Sequence, residues 1–232
     1  KPAGMLSVAD EAGNKDTGGD RVRTELRVRG GRDGDAPRGI VHRLDRDTSG
    51  LMVFARTAEA KRVLAAMFKA HDIERVYHAI AHGTVHAARV DTHLLLDRGD
   101  GLRGSHGHYR RAKGEPPLDA RQAITYVKPV EALEGATLVE CRLETGRQHQ
   151  IRIHLAELGH PIVGERVYIR DYRGAKIESA RPMLHARKLA FAHPRTGAPL
   201  AFERAPPEDF EAMRRLLRGR DPPTGPDGGA PA

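Results

Sequence analysis

The chain lacks tryptophan altogether, holds one cysteine and has only 4% aromatic residues in 232. With Cys141 alone, neither an internal disulfide nor a cysteine-rich zinc module can form. No apolar run approaches the roughly 20 residues that a membrane helix needs. The opening Lys1-Pro2-Ala3-Gly4 has no apolar core of the kind that directs secretion. A cytoplasmic protein is the simplest fit. No glycine-rich loop leads into a Lys-Ser or Lys-Thr pair, which argues against nucleotide hydrolysis. The 13 histidines invite a metal reading. Yet His149, His154 and His160 form no His-Glu-x-x-His pattern, and neither does the pair His106 and His108. On a helix, five positions of separation would turn His149 and His154 away from each other. No metal and no cofactor is expected.

What the chain has is positive charge: 39 Lys+Arg against 31 Asp+Glu, a net +8, with arginine the majority. Arginine presents a planar donor fork that suits phosphate and stacks on bases. Such a balance points to a polyanionic partner, with nucleic acid first. Aromatics are too scarce for a broad single-strand stacking platform, so phosphate contacts should dominate and one or two rings should do specific work. Hydrophobic residues at 39% and a length of 232 allow one sizeable core.

Residues 1–218 read as one domain, and 219–232, mostly Pro, Gly and Ala, as a disordered tail. Residues 9–39 carry little apolar material outside Val22–Val28 and read as a long surface excursion. Residues 58–70 predict an amphipathic helix capped by Thr57, with Ala60, Val63, Leu64, Met67 and Phe68 as a core stripe. Residues 75–85, 121–128 and 137–143 alternate as strands. The polar stretch 97–120 brings Arg103, Arg110, Arg111 and Lys113, either as an RNA-contacting loop or as a solvated hairpin tip. Residues 208–218 repeat Phe210, Met213, Leu216 and Leu217 at helical spacing before Gly219.

Two segments carry chemistry. His42-Arg43-Leu44-Asp45-Arg46-Asp47-Thr48-Ser49-Gly50 lies between the apolar pieces 39–41 and 51–54, so it reads as strand, tight loop, strand. Asp45 projects from the loop between Arg43 and Arg46, and nearby positive charge favours a charged carboxylate. By itself it serves equally as a turn cap or as a catalytic base or nucleophile. Thr145 and Gln148 form a Thr-x-x-Gln capping box. That predicts a helix with Arg147 in its first turn, where free N–H groups make an anion site. Arg152 sits one turn beyond Gln148, on a partly buried face where a charge needs a partner.

The spelling His-Arg-Leu-Asp-x-x-Thr-Ser-Gly resembles the catalytic motif of the RluA-type RNA pseudouridine synthases. So do Lys1-Pro2-Ala3-Gly4, Glu74-Arg75-Val76-Tyr77-His78-Ala79, Thr145 to His154, Gly159 to Gly164, and Leu184 to Pro194, in the family's order. The resemblance implies an α+β fold: a large, bent, mainly antiparallel sheet with flanking helices and a basic central cleft. It also implies residues upstream of Lys1. It makes Asp45 the essential carboxylate, paired with Arg152, and puts Tyr77 against the target base. It places Arg43 in the RNA stack the base has left, Arg147 among the RNA contacts and Leu184 in the apolar wall of the pocket. The implied reaction isomerises uridine in structured RNA, ribosomal before transfer RNA, by a monomer. A non-catalytic RNA-binding ribosome-assembly factor on the same fold is the alternative; a hydrolase built on Asp45 and a histidine has no nucleophilic serine or cysteine to support it.

Overall fold

The computed structural model describes residues 1–8, 16–28, 39–108 and 114–219. Three strands and a helix open it: β1 (Gly39–Ile40), β2 (Ser49–Gly50), β3 (Phe54–Ala55) and, before them, α1 (Gly18–Val28). Then follow α2 (Ala58–Ala70), β4 (Glu74–His82), β5 (Ala88–Leu95), β6 (Gly104–Ser105), β7 (Arg121–Leu133) and β8 (Ala136–Leu143). Helix α3 (Gln150–Glu157), β9 (Leu184–Ala192), β10 (Pro199–Glu203) and α4 (Glu208–Leu217) complete the order.

The main sheet runs β10-β9-β4-β8-β7-β5-β6, antiparallel throughout, with β2 added alongside β9 in parallel. Strands β1 and β3 form a separate pair. This is the expected α+β architecture. Strand β4 lies between β8 and β9 and is buried along nearly all its length, which its run Val76 to Ala81 permits. Its side chains join Leu138, Val139, Ile151, Leu155, Met183 and Phe210 in the principal core. A second core packs Leu64, with Ala60, Met67 and Phe68 partly buried, against Ile73, Leu189 and Phe191. The Thr57 cap is present: its Oγ1 accepts from the Ala60 N–H at 3.0 Å.

Two expectations need correction. The excursion 9–39 contains α1, because Thr17 and Asp20 cap it reciprocally: Asp20 N–H donates to Thr17 Oγ1, and Thr17 N–H and Oγ1 donate to Asp20 Oδ2. The Gly18 N–H donates to the Leu6 carbonyl, anchoring the helix start. The second correction is at the arginine helix, which starts at Gln150 and not at Thr145. Gln150 closes the turn: its Oε1 accepts from Thr145 Oγ1 and from the Arg147 N–H, both at 2.9 Å. Arg147 therefore precedes the helix, and its N–H is already taken. The tail, from 220 onward, and Arg110, Arg111 and Lys113 lie outside the described residues.

Candidate active site

The Asp45 loop is shaped by contacts distant in sequence. Within it, the Thr48 N–H donates to the Asp45 carbonyl, closing a tight turn. Ser7 Oγ donates to the Leu44 carbonyl at 2.7 Å and accepts the Leu44 N–H. Lys1 Nζ donates to the Arg46 and Met5 carbonyls, each at 2.7 Å. Arg181 reaches the Asp47 carbonyl at 3.2 Å while its fork grips Asp209. The loop's far end pairs with β9, Ser49 opposite His185 and Gly50 opposite Ala186. Gly50 has φ +121°, and a Cβ there would overlap the Ala186 backbone, so only glycine lets the two chains meet. Ser49 Oγ lies 2.9 Å from His185 Nδ1; since His185 Nε2 faces the Arg204 carbonyl and must donate, Nδ1 accepts.

The neighbouring strand aims the tyrosine. Strand β9 carries one extra residue against β4 between Val76 and Tyr77, so Tyr77 falls opposite Ala186. Such a bulge re-aims a side chain. One cavity is then lined by Arg43, Asp45, Tyr77, Arg147, His149 and Leu184. Arg152, outside that wall, approaches Asp45, NH1 to Oδ2 at 3.6 Å. All six residues singled out in the sequence converge here, five on the cavity wall and Arg152 through Asp45.

The charge beside Asp45 is not that of its sequence neighbours. Among the described residues, no ion pair joins Asp45 to Arg43 or Arg46; Arg46 Nε turns instead to the Gly4 carbonyl. Arg152 supplies the positive charge, and it is held mainly by Glu165: Nε and NH2 donate to the two Glu165 oxygens at 2.7 and 2.8 Å. The Glu165 side chain is 0% exposed. Burial works against both charges, but the mutual hydrogen bonds prevail, lowering the Glu165 pKa and raising that of Arg152. Burial pushes the Tyr77 phenol up to about 12, with Arg75 pulling the other way.

Sequence reasoning missed two members of this network. One is Glu165. The other is His149, whose Nε2 lies 3.9 Å from Asp45 Oδ2 and whose Nδ1 meets the Tyr168 hydroxyl at 2.7 Å. His149 adopts φ 60°, outside the helix, and that turns its ring into the cavity. Burial lowers its pKa, while Asp45 acts to raise it. His154 faces elsewhere, between Thr92 and Thr125.

A carboxylate–arginine–carboxylate chain, buried at Glu165 and opening at Asp45 into a cavity walled by tyrosine, leucine and arginines, can do acid–base or nucleophilic chemistry on a group held there. Comparison with known proteins narrows that chemistry. The profile described as RNA pseudouridylate synthase matches residues 1–157. The chain is 38% identical over 228 residues to the ribosomal large subunit pseudouridine synthase D of Zymomonas mobilis, spanning 94% of this chain and 68% of that protein. It is 38% identical over 235 residues to the protein of that name from Xanthomonas campestris, spanning 65% of it. For the Neisseria meningitidis protein the figures are 35% over 189 residues and 48%. Thus it spans between about half and two thirds of the length of these relatives. The human RNA pseudouridylate synthase domain containing 4 shares the fold, with TM-score 0.77 at 22% identity over 94% of this chain and 88% of that one. This chain belongs to the RNA pseudouridylate synthase family.

Proposed function

We propose that the chain isomerises uridine to pseudouridine in structured RNA, with Asp45 as the essential carboxylate. What carries the proposal is Asp45, 3.6 Å from Arg152, in one cavity with Tyr77, Arg43, Arg147 and Leu184. A uridine within a helix is out of reach, so the nucleotide must first be flipped into a pocket. Tyr77, neutral because its phenol is held near 12, stacks on the extruded base. Arg43 fills the vacated place with a guanidinium that can both stack and bind phosphate. The bond from ribose C1′ to base N1 breaks, the base turns, and C1′ joins C5. The hydrogen on C5 leaves as a proton, and N1 gains one. Asp45 acts at the sugar or the base, and Arg152 holds it aimed. No electron is transferred, so no redox partner is required.

Large-subunit ribosomal RNA is the proposed substrate, supported by the names of the relatives; transfer RNA is the second choice. A cytoplasmic location is proposed with it, supported by the same names of ribosomal enzymes; among the described residues no helix is long and apolar enough to cross a membrane. The test is tritium release from RNA labelled at uridine C5, comparing the wild type with Asp45→Asn. Release by the wild type alone supports the reading, with RNA binding surviving in the variant. Tight, salt-sensitive binding with no release would instead favour an assembly factor.

A further inference from the structure

Arg75 takes no part in the chemistry above, yet it is among the most deeply placed cations of the molecule. It stands on β4 two residues before Tyr77, hence on the same face of the strand. Only 6% of it is exposed. NH2 donates to the Glu144 carbonyl at 2.7 Å, and Nε is buried without any partner. Among the described residues no carboxylate pairs with it. Burial depresses its pKa and nearby Arg147 adds to the effect; only the Tyr77 phenol opposes them. A buried charge without a counter-charge is unfavourable. Something from outside the chain should supply what is missing.

The surrounding cavity shows what that is. Arg75 lines a cavity of about 610 Å³, with Arg43, Lys69, Arg121 and Arg147 as further cations and Asp45 as the one carboxylate on its wall. Arg43, Asp45, Tyr77, Leu143 and Arg147 also line the narrower cavity, so the two adjoin. Gly146 keeps this approach open, because a side chain there would overlap Arg75 NH1. Phe68 floors it, with the Arg75 guanidinium 5.7 Å from its ring centre.

We propose that this cavity is a phosphate subsite in which Arg75, with Arg147, binds the phosphodiester next to the flipped uridine. The inference rests on the RNA isomerase reading. A phosphate brings the missing counter-charge and accepts charge-assisted hydrogen bonds from both guanidinium groups. The strand is thereby gripped beside the base that reacts, and a free nucleoside, lacking phosphate, forfeits the grip.

The experiment compares the wild type, Arg75→Met, Arg75→Lys and, as a control at an exposed turn, Arg195→Met. The probe is unmodified large-subunit ribosomal RNA made by transcription. Dissociation constants are measured across about 50–200 mM KCl, where each phosphate contact contributes roughly 0.7–0.9 to the slope of log affinity against log salt. Arg75→Met should lose about one such increment and about tenfold in kcat/KM, while Arg75→Lys and Arg195→Met keep the wild-type slope. Without RNA, Arg75→Met should melt at or above the wild-type temperature, since a buried unpaired charge has gone. A wild-type slope in Arg75→Met overturns the subsite and leaves Arg75 as a brace for the Glu144 carbonyl. Tritium release is scored on the same samples. No release from the wild type with the slope difference intact sinks the isomerase reading and spares the subsite; release with coincident slopes does the reverse.

Discussion

Glu165 decides how firmly Arg152 is aimed. Both of its oxygens are occupied by the guanidinium, and Oε1 also accepts the Val167 N–H at 2.8 Å. Glu165→Gln replaces one acceptor by a donor and leaves Arg152 half-partnered in the interior. Breaking a buried pair in this way should cost about 3 kcal/mol of stability, read by urea denaturation. As Arg152 drifts from Asp45, kcat should fall about tenfold to a hundredfold with KM little changed. A variant equally stable and equally fast would show that Arg152 needs no such support. Tyr77 gives a second test at this scale. With its phenol held up to about 12, it stays neutral through the working range, so Tyr77→Phe should leave the alkaline side of the pH–rate profile where it was. A shift of that limb in the variant would assign the titration to Tyr77.

Among the elements, the junction of β2 with β9 is the least forgiving. Gly50→Ala places a Cβ on the Ala186 backbone at a φ of +121°, where neither chain is the flexible end of a side chain. Strain of this kind costs at least about 2 kcal/mol, and the loop that carries Asp45 must move to relieve it. Loss of both melting temperature and turnover is expected; retention of turnover would mean that the loop is positioned from its other end. This junction also shows what could be read in advance. The spelling around Gly50, Tyr77 and Leu184 was legible as motifs, and the structure puts all three on adjacent strands. The Thr57 cap and the α2 stripe were legible as local chemistry, although Phe68 also floors a cavity, which its spacing did not reveal. His149 was missed because the Thr145-x-x-Gln148 box suggested an early helix start; with the start at Gln150, His149 becomes the left-handed residue before it. Glu165 was missed because a glutamate after a glycine reads as a surface turn, and only the long-range meeting with Arg152 makes it buried.

Across the whole molecule, buried histidines set the acid limit. Burial holds His42, His78 and His154 at about 4, and lowers His185. The His42 ring must be neutral, since its Nε2 accepts the Val53 N–H. In the unfolded chain these rings take up protons near 6.5. Between that value and about 4 the unfolded state therefore binds more protons, so stability is full above 6.5 and falls as pH drops toward 4. Each unit of depression is worth about 1.4 kcal/mol per ring. The melting temperature should be flat from about pH 8 to 7 and should decline steadily below about pH 6. A flat profile down to about pH 4.5 would show that these rings are not held neutral by the fold.

The contact between Ser49 and His185 crosses 136 positions of sequence. A growing chain emerging from the ribosome thus carries Asp45 long before the strand that shapes its loop exists. Glu165, Arg181 and Leu184 arrive late as well. The site is completed only when nearly all of the described chain has been made, so a chain cut before His185 should show no turnover.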